Sequence, residues 1–264
     1  MQGERRLVRM EPILSACLVA CHCGDEIDLA LRCIQNADLA VSVFLSDNTP
    51  EEMTADRLKW AFPGLRVLPQ QRNAGPSRAH NAVLPYLTSR YHLLMDPSTA
   101  FDPSLLRRMV VYMEAHPNIA ILSPRFYYAE GEEAFFPRRR LTVRHLLGSS
   151  LGNLGGMFRR WKQEYVFSGK TTDMPLPVEC APLTFMMIRT DVFRTLQGLD
   201  PGFPKFQADA DLCRRVLDGR FGSIVFHPDM AVSYHPPAEN IIFPNRTHHF
   251  SSVLRYFMKW GITW

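Results

Sequence analysis

Hydrophobic positions fall into two alternating periods through the first half of the chain. Ile13-Leu14-Ser15-Ala16-Cys17-Leu18-Val19-Ala20 is a short apolar run that predicts a buried strand. Over 25–34 the apolar residues Ile27, Ala30, Leu31 and Ile34 recur at helical spacing. Val41-Ser42-Val43-Phe44-Leu45-Ser46 predicts a second strand, closing on Asp47-Asn48. A helix over 50–61, a strand over 65–69, a helix over 76–88 and a strand over 91–95 follow. Asp102-Pro103 predicts the start of a further helix, with Asp as cap and Pro at the first helical position. Ile119–Ser123 reads as the next strand. Strands that alternate with helices imply an α/β chain, a doubly wound and mostly parallel sheet with ligands outside the carboxyl ends of its strands.

The alternation stops over 124–178. There Leu147, Leu151, Leu154, Phe158, Trp161 and Tyr165 form a 4-3-4-3-4 apolar stripe interrupted by Gly148, Gly152, Gly155 and Gly156. Each glycine costs about 1 kcal/mol in a helix interior. Such a helix needs a surface to lie on, the protein's own sheet or an anionic membrane facing Arg144, Arg159, Arg160 and Lys162. A second stripe, Phe250, Val253, Leu254 and Phe257, predicts a C-terminal helix flanked by basic residues and tryptophan.

Composition narrows the class. At 264 residues, 46% hydrophobic and 21% charged, the chain can bury a substantial core and is not disordered. A net charge of +4 permits attraction to phosphate-bearing ligands or anionic membranes but does not mark a nucleic-acid binder. No apolar run approaches the roughly 18–20 residues of a membrane span, and the opening Met1–Arg6 does not lead into a signal sequence. The expectation is a cytoplasmic protein, at most at the inner face of the membrane. Cys17, Cys21 and Cys23, with His22 between, lack the second half of a zinc motif. Cys17 and Cys21 would share one face of a buried strand, so they read as free core thiols, and disulfides are not expected.

The candidate chemistry centres on Phe206-Gln207-Ala208-Asp209-Ala210-Asp211-Leu212-Cys213-Arg214-Arg215. A turn-rich run precedes it, so both carboxylates fall at the mouth of a helix, where negative charge is favoured. One could cap and the other be a solvated acid. Yet residues two apart do not share a helix face, which points to two separate jobs. The segment resembles the "E-D-x-D-L-C-x-R" stretch of family 2 glycosyltransferases of the GT-A fold, and most of all their bacterial rhamnosyltransferase-like branch. The resemblance makes Asp209 the general base that deprotonates the acceptor hydroxyl, with Ala208 in place of the family's Glu; Asp211, counted with the acceptor cleft, is expected to point elsewhere and hold the turn.

Further stretches resemble that family in order. Asp47-Asn48 matches "V-D-N", whose Asp contacts the nucleotide base, although Asp-Asn also suits a plain turn. Asn73-Ala74-Gly75-Pro76-Ser77-Arg78-Ala79-His80-Asn81 resembles "N-x-G-x-x-x-A-x-N", which implies donor-cleft roles for Asn73, Gly75 and Asn81. Leu94-Met95-Asp96-Pro97-Ser98 falls at the family's metal-binding acidic motif, with Ser98 where the principal Asp is expected. A hydroxyl is a poor ligand for Mg²⁺ or Mn²⁺, so the divalent cation is weakened here, resting on Asp96, His235 and the donor diphosphate. Val178-Glu179 through Arg189 resembles the family's "V-D-W-x-x-G-A-x-M-L-V-R" strand, with Glu179 as the acid and Leu183-Thr184 replacing Gly-Ala. Ser223–Pro228 and Ala231–His235 resemble the family's closing strands; His227 reads as surface, and His235 ends the second.

The resemblance implies a single GT-A domain over 1–264. It has a nucleotide-sugar half at 13–123, a variable insertion at 124–177, an acceptor half at 178–240 and a helical tail at 241–264. It further implies an inverting transfer of rhamnose or another hexose from a dTDP- or UDP-linked donor to a glycan, such as a lipid-linked O-antigen of the envelope. Ser98, Ala208 and Leu183 leave a second class open, a decayed relative that binds nucleotide or glycan without chemistry. A methyltransferase or dehydrogenase is disfavoured because no G-x-G-x-x-G follows the first strand.

Overall fold

The computed structural model describes residues 12–21, 24–49, 54–70, 74–128, 131–135, 138–166, 173–203, 206–235 and 246–264. Its strands are β1 (Leu14–Ala20), β2 (Val41–Asp47), β3 (Arg66–Pro69), β4 (Tyr91–Met95), β5 (Thr99–Phe101), β6 (Ile119–Tyr128), β7 (Glu133–Phe135), β8 (Leu176–Pro177), β9 (Phe185–Arg189) and β10 (Ser223–Tyr234). The helices are α1 (Glu26–Gln35), α2 (Thr54–Ala61), α3 (Pro76–Asn81), α4 (Leu105–Ala115), α5 (Val143–Leu151), α6 (Gly156–Tyr165), α7 (Thr190–Thr195), α8 (Ala208–Asp218) and α9 (Arg246–Trp260).

All strands join one sheet in the order β3-β2-β1-β4-β9-β6-β10-β5, with β7 paired to β6 and β8 to β10. β3, β2, β1 and β4 run parallel. β9 lies antiparallel between β4 and β6, which restores β6 and its parallel neighbour β10 to the common direction. The carboxyl ends of these six strands therefore share one edge. Period-two alternation explains why both faces are covered. Leu14, Ala16, Leu18, Leu93, Met95 and Met187 enter one core with α1 and α4. Cys17, Leu94, Met186 and Ile188 enter the other, with α7, α8 and α9. In α1 the buried residues are Ile27, Ala30, Leu31 and Ile34, the periodic set itself.

Several expectations are corrected. The helix over 76–88 ends at Asn81, and a 3₁₀ turn over Leu84–Tyr86 follows. Pro85 has no N–H for the carbonyl of Asn81, so the ladder cannot continue. The closing strands are one strand, β10, with a register shift between His227 and Ala231. His227 is half-buried, its ring 4.6 Å from that of Tyr112. Cys17 is buried, and burial pushes its thiol up to about 12, but Cys21 lies past the strand and is exposed. Cys23 and His22 fall outside the described residues. Asp102 accepts from the N–H of Ser104 at 2.8 Å just before α4, which begins at Leu105.

The 147–165 stripe is not one helix. It folds into a hairpin, α5 and α6, that breaks at Gly155 and Gly156, where φ is +79° and +53°. The helices cross closely at Gly148, where a Cβ would sit 2.6 Å from the backbone nitrogen of Lys162. Glycines that would weaken a lone helix thus make the turn and the crossing. In the tail, α9 buries Val253, Tyr256 and Phe257, while Phe250 and Leu254 face solvent. The rotation of α9 is set by two residues at its end, Lys259 and Trp260, which both meet Asp211 of α8.

Candidate active site

The carboxyl edge collects most of the predicted polar residues. Asp47 ends β2, nearly buried, and its Oδ1 accepts from the N–H of Thr49 at 3.2 Å. Asn48 Oδ1 accepts from the N–H of Ala74 at 2.9 Å, which holds the approach to α3 against β2. Gly75 follows with φ +82° at the head of α3. Asn73 lies outside the described residues.

Asp96 caps β4. Its Oδ1 accepts from the N–H of Ser98 at 2.8 Å, and its own N–H donates to Thr184 O at 2.8 Å. Burial holds the Asp96 carboxyl above the usual carboxylate range, against the pull of its hydrogen bonds from Ser98. The His235 N–H donates to Ser98 O at 2.7 Å, which brings the end of β10 beside this turn; the imidazole is exposed. Burial, and then the charge of Asp96, push the Tyr234 phenol up. Ser98 therefore serves Asp96 as a hydrogen-bond donor. Among the described residues no three His, Cys, Asp or Glu side chains converge on one point. One half-buried carboxylate and one exposed imidazole do not form a resident divalent-metal site, which takes several oxygen ligands.

Asp209 lies in the first turn of α8. Arg138, 71 residues upstream, donates from Nη2 to Asp209 Oδ2 at 2.5 Å, and Ala210 N–H donates to Oδ1 at 2.8 Å. The carboxylate keeps 18% of its surface exposed, and each oxygen has a second lone pair for a ligand. Arg138 is held in turn by backbone bonds with Cys180 and by Tyr165 of the hairpin, whose phenol burial pushes up to about 12 against the pull of Arg138. Glu179, next to Cys180, accepts on Oε2 from the Arg140 N–H at 3.2 Å. Ala181 N–H donates to Cys213 Sγ at 3.4 Å, fastening this segment to α8. The same segment accepts from the Asp96 N–H at Thr184 and bonds the backbone of Arg138, the partner of Asp209, at Cys180, so it ties both acids to one stretch that carries Glu179.

Two predicted site residues do other work. Asp211, counted with the acceptor cleft, is fully buried. It accepts from Arg215 Nε at 2.8 Å and Trp260 Nε1 at 2.9 Å, and it pairs with Lys259 Nζ at 2.7 Å. It clamps α9 to α8 and reaches no cleft. Asn81, expected along the donor cleft, spends its amide on the backbone of Leu199: Nδ2 donates to the carbonyl at 2.6 Å, and Oδ1 accepts from the N–H at 2.8 Å. Ser77 Oγ donates to Phe203 O at 2.5 Å. Together they pin the 198–203 loop to α3 and so set where α8 begins. Arg138 was visible only as the first of three arginines. No local pattern announces a partner 71 residues away.

The family model for "Glycosyl transferase family 2" matches residues 15–196. That span includes Asp47, Asn73, Gly75, Asn81, Asp96 and Glu179 and stops short of Asp209, Asp211 and His235. No curated protein sequence matches the chain. Among solved structures the chain is similar to a mannosyltransferase, PcManGT from Pyrobaculum calidifontis, in complex with GDP-Man and Mn²⁺. The TM-score is 0.59 at 13% identity, over 87% of this chain and 59% of that one. It is also similar to GalNAc-T7 with UDP, GalNAc and Mn²⁺, with a TM-score of 0.67 at 12% identity, over 95% of this chain and 48% of that one. The chain thus spans about half to three-fifths of the length of these structures, and the likeness establishes the GT-A fold. With a match over more than half its length, the chain belongs to glycosyl transferase family 2.

Proposed function

We propose that the protein is an inverting glycosyltransferase that moves a sugar from a nucleoside diphosphate donor to a glycan hydroxyl, with Asp209 as the base. The observation that carries this is the Arg138–Asp209 pair at the head of α8, partly open to solvent beside the carboxyl edge. The acceptor O–H gives its proton to Asp209 as its oxygen attacks the anomeric carbon. The bond from that carbon to the diphosphate breaks on the opposite face, and the electron pair leaves with the nucleoside diphosphate. Arg138 keeps the carboxylate aimed before the proton arrives.

In this reading Asp47 and the 74–75 turn receive the nucleoside, and Asp96 and His235 the diphosphate. Any divalent cation arrives with the donor, since Asp96 and His235 alone are too few ligands to hold it. For the finer assignment we propose a dTDP- or UDP-linked rhamnose or other hexose and an envelope glycan on a lipid carrier. These rest on the sequence resemblance alone.

A panel of nucleotide sugars tested by thermal shift identifies the donor, because binding stabilises the folded state by mass action. Hydrolysis of that donor without acceptor then separates an enzyme from a binding relative that has lost its chemistry. A protein stabilised by none of the panel would sink the reading.

A further inference from the structure

Thirteen large hydrophobic side chains are exposed among the described residues, and seven of them lie in the α5–α6 hairpin or in the C-terminal helix and tail. Leu154 and Met157 stand at the hairpin turn, 75% and 56% exposed. Phe250, Leu254 and Met258, at i, i+4 and i+8, form one ridge on the outer face of α9, whose opposite face already packs on the core. The hairpin and the tail are joined. Val143 N–H donates to Thr263 O at 2.9 Å, and the rings of Trp161 and Trp264 meet edge-on at 6.1 Å. Apolar surface concentrated in this way marks a contact face.

Charge says what covers it. Residues 143–165 and 246–264 hold seven Lys and Arg against a single acid, Glu164. That is +6, against +4 for the whole chain, so the remainder is −2. Two of the seven are spent inside the fold, Arg144 on Glu164 and Lys259 on Asp200 and Asp211. Arg159, Arg160 and Lys162, all exposed, have no ion-pair partner among the described residues. A two-fold contact with a second copy of the chain would set these cations against their own kind. An anionic surface with an apolar interior suits both the charge and the ridge.

We infer that the α5–α6 hairpin and the outer face of α9 dock together on an anionic lipid bilayer. Both elements are fastened to α8, the hairpin through Tyr165 and Arg138 to Asp209, and α9 through Lys259 and Trp260 to Asp211. On the glycosyltransferase reading above, on which this part alone rests, docking holds the base beside an acceptor anchored in the membrane.

The test is co-sedimentation of the full chain with vesicles of phosphatidylcholine alone or with one-third phosphatidylglycerol, at low and at high salt. About fivefold per surface cation predicts a preference on the order of 100-fold for anionic vesicles at low salt, lost as salt rises. The Arg159→Glu/Arg160→Glu pair and Leu254→Glu/Met258→Glu, all at exposed positions, should each lower binding more than tenfold. Their melting temperature and donor affinity should stay unchanged. Equal binding to both vesicle types, or unaltered binding by both variants, overturns the inference. So does a wild-type dimer that these variants dissociate and that ignores vesicles. Vesicle binding needs no donor, so a protein that binds lipid and no nucleotide sugar would sink the functional reading and leave this face standing.

Discussion

Arg138 Nη2 and Asp209 Oδ2 lie 2.5 Å apart, one from the strand-like segment before the hairpin and the other from the first turn of α8. The pair is charge-assisted and partly shielded from water, which makes it shorter and stronger than a surface bridge. It places a fixed positive charge against the proposed base while leaving that base an open edge.

Transfer should therefore depend on both partners in different ways. Asp209→Asn cannot take a proton and should lose about 10²–10⁴-fold in kcat with donor affinity unchanged. Arg138→Lys should retain part of the rate, and Arg138→Gln should lose more and regain some with added guanidinium. Single-turnover rates beside donor affinity decide it. An Asp209→Asn protein with near wild-type transfer removes the base from the scheme.

Asp211 makes the opposite prediction. Its carboxylate is buried against Arg215, Lys259 and Trp260. Removing its charge leaves Arg215 without its carboxylate and Lys259 with Asp200 alone, and breaking a buried pair costs roughly 3–5 kcal/mol. Asp211→Asn should unfold at markedly lower urea than wild type, and Trp260→Phe should cost about 1–2 kcal/mol for one charged hydrogen bond. Equal stability of Asp211→Asn and wild type would show that α9 is held by its apolar face alone.

The loop before α8 should be sensitive at Gly198. Its φ is +73°, and a Cβ there would fall 2.2 Å from Asn81 Oδ1. Gly198→Ala is strained in backbone and contact together, and Asn81→Ala leaves both backbone groups of buried Leu199 without partners, at about 1–3 kcal/mol. Both should lower the melting temperature. Because the loop positions α8, both should also slow transfer more than they weaken donor binding.

Acid should unfold the protein through two buried histidines. Burial lowers His80 to about 4, and burial and then His80 lower His92 to about 3. His92 Nδ1 meets Ser15 Oγ at 2.8 Å, and its Nε2 and His80 Nδ1 have no hydrogen-bond partner among the described residues. In the unfolded chain both titrate near 6.5. Below that pH the unfolded state binds more protons, so their contribution is complete above about 6.5 and falls as pH drops towards 4. The loss is roughly 1.4 kcal/mol per pH unit for each histidine. Urea midpoints between pH 7 and 4.5 should show this slope, and His92→Phe should flatten it by about half. A flat profile in wild type would mean that these rings are solvated.

The sequence by itself determined the parts of this protein that depend on short-range periodicity. The buried positions of α1, the alternating faces of β1 and β4 and the doubly wound class all follow from spacings of two and of three to four residues. The ordered motifs also placed Asp47, Asp96 and Asp209 at the ends of elements. Tertiary structure decided what those spacings cannot encode. An apolar stripe is the same string whether one helix runs through it or two helices fold back at Gly155–Gly156, and only the close crossing at Gly148 selects the hairpin. Asp209 and Asp211 are alike in sequence, two acids in one helical turn. They part company because side chains two residues apart leave the helix about 200° apart. That angle turns Asp209 towards Arg138 at the open edge and buries Asp211 under the C-terminal helix, with partners 71 and 49 residues away.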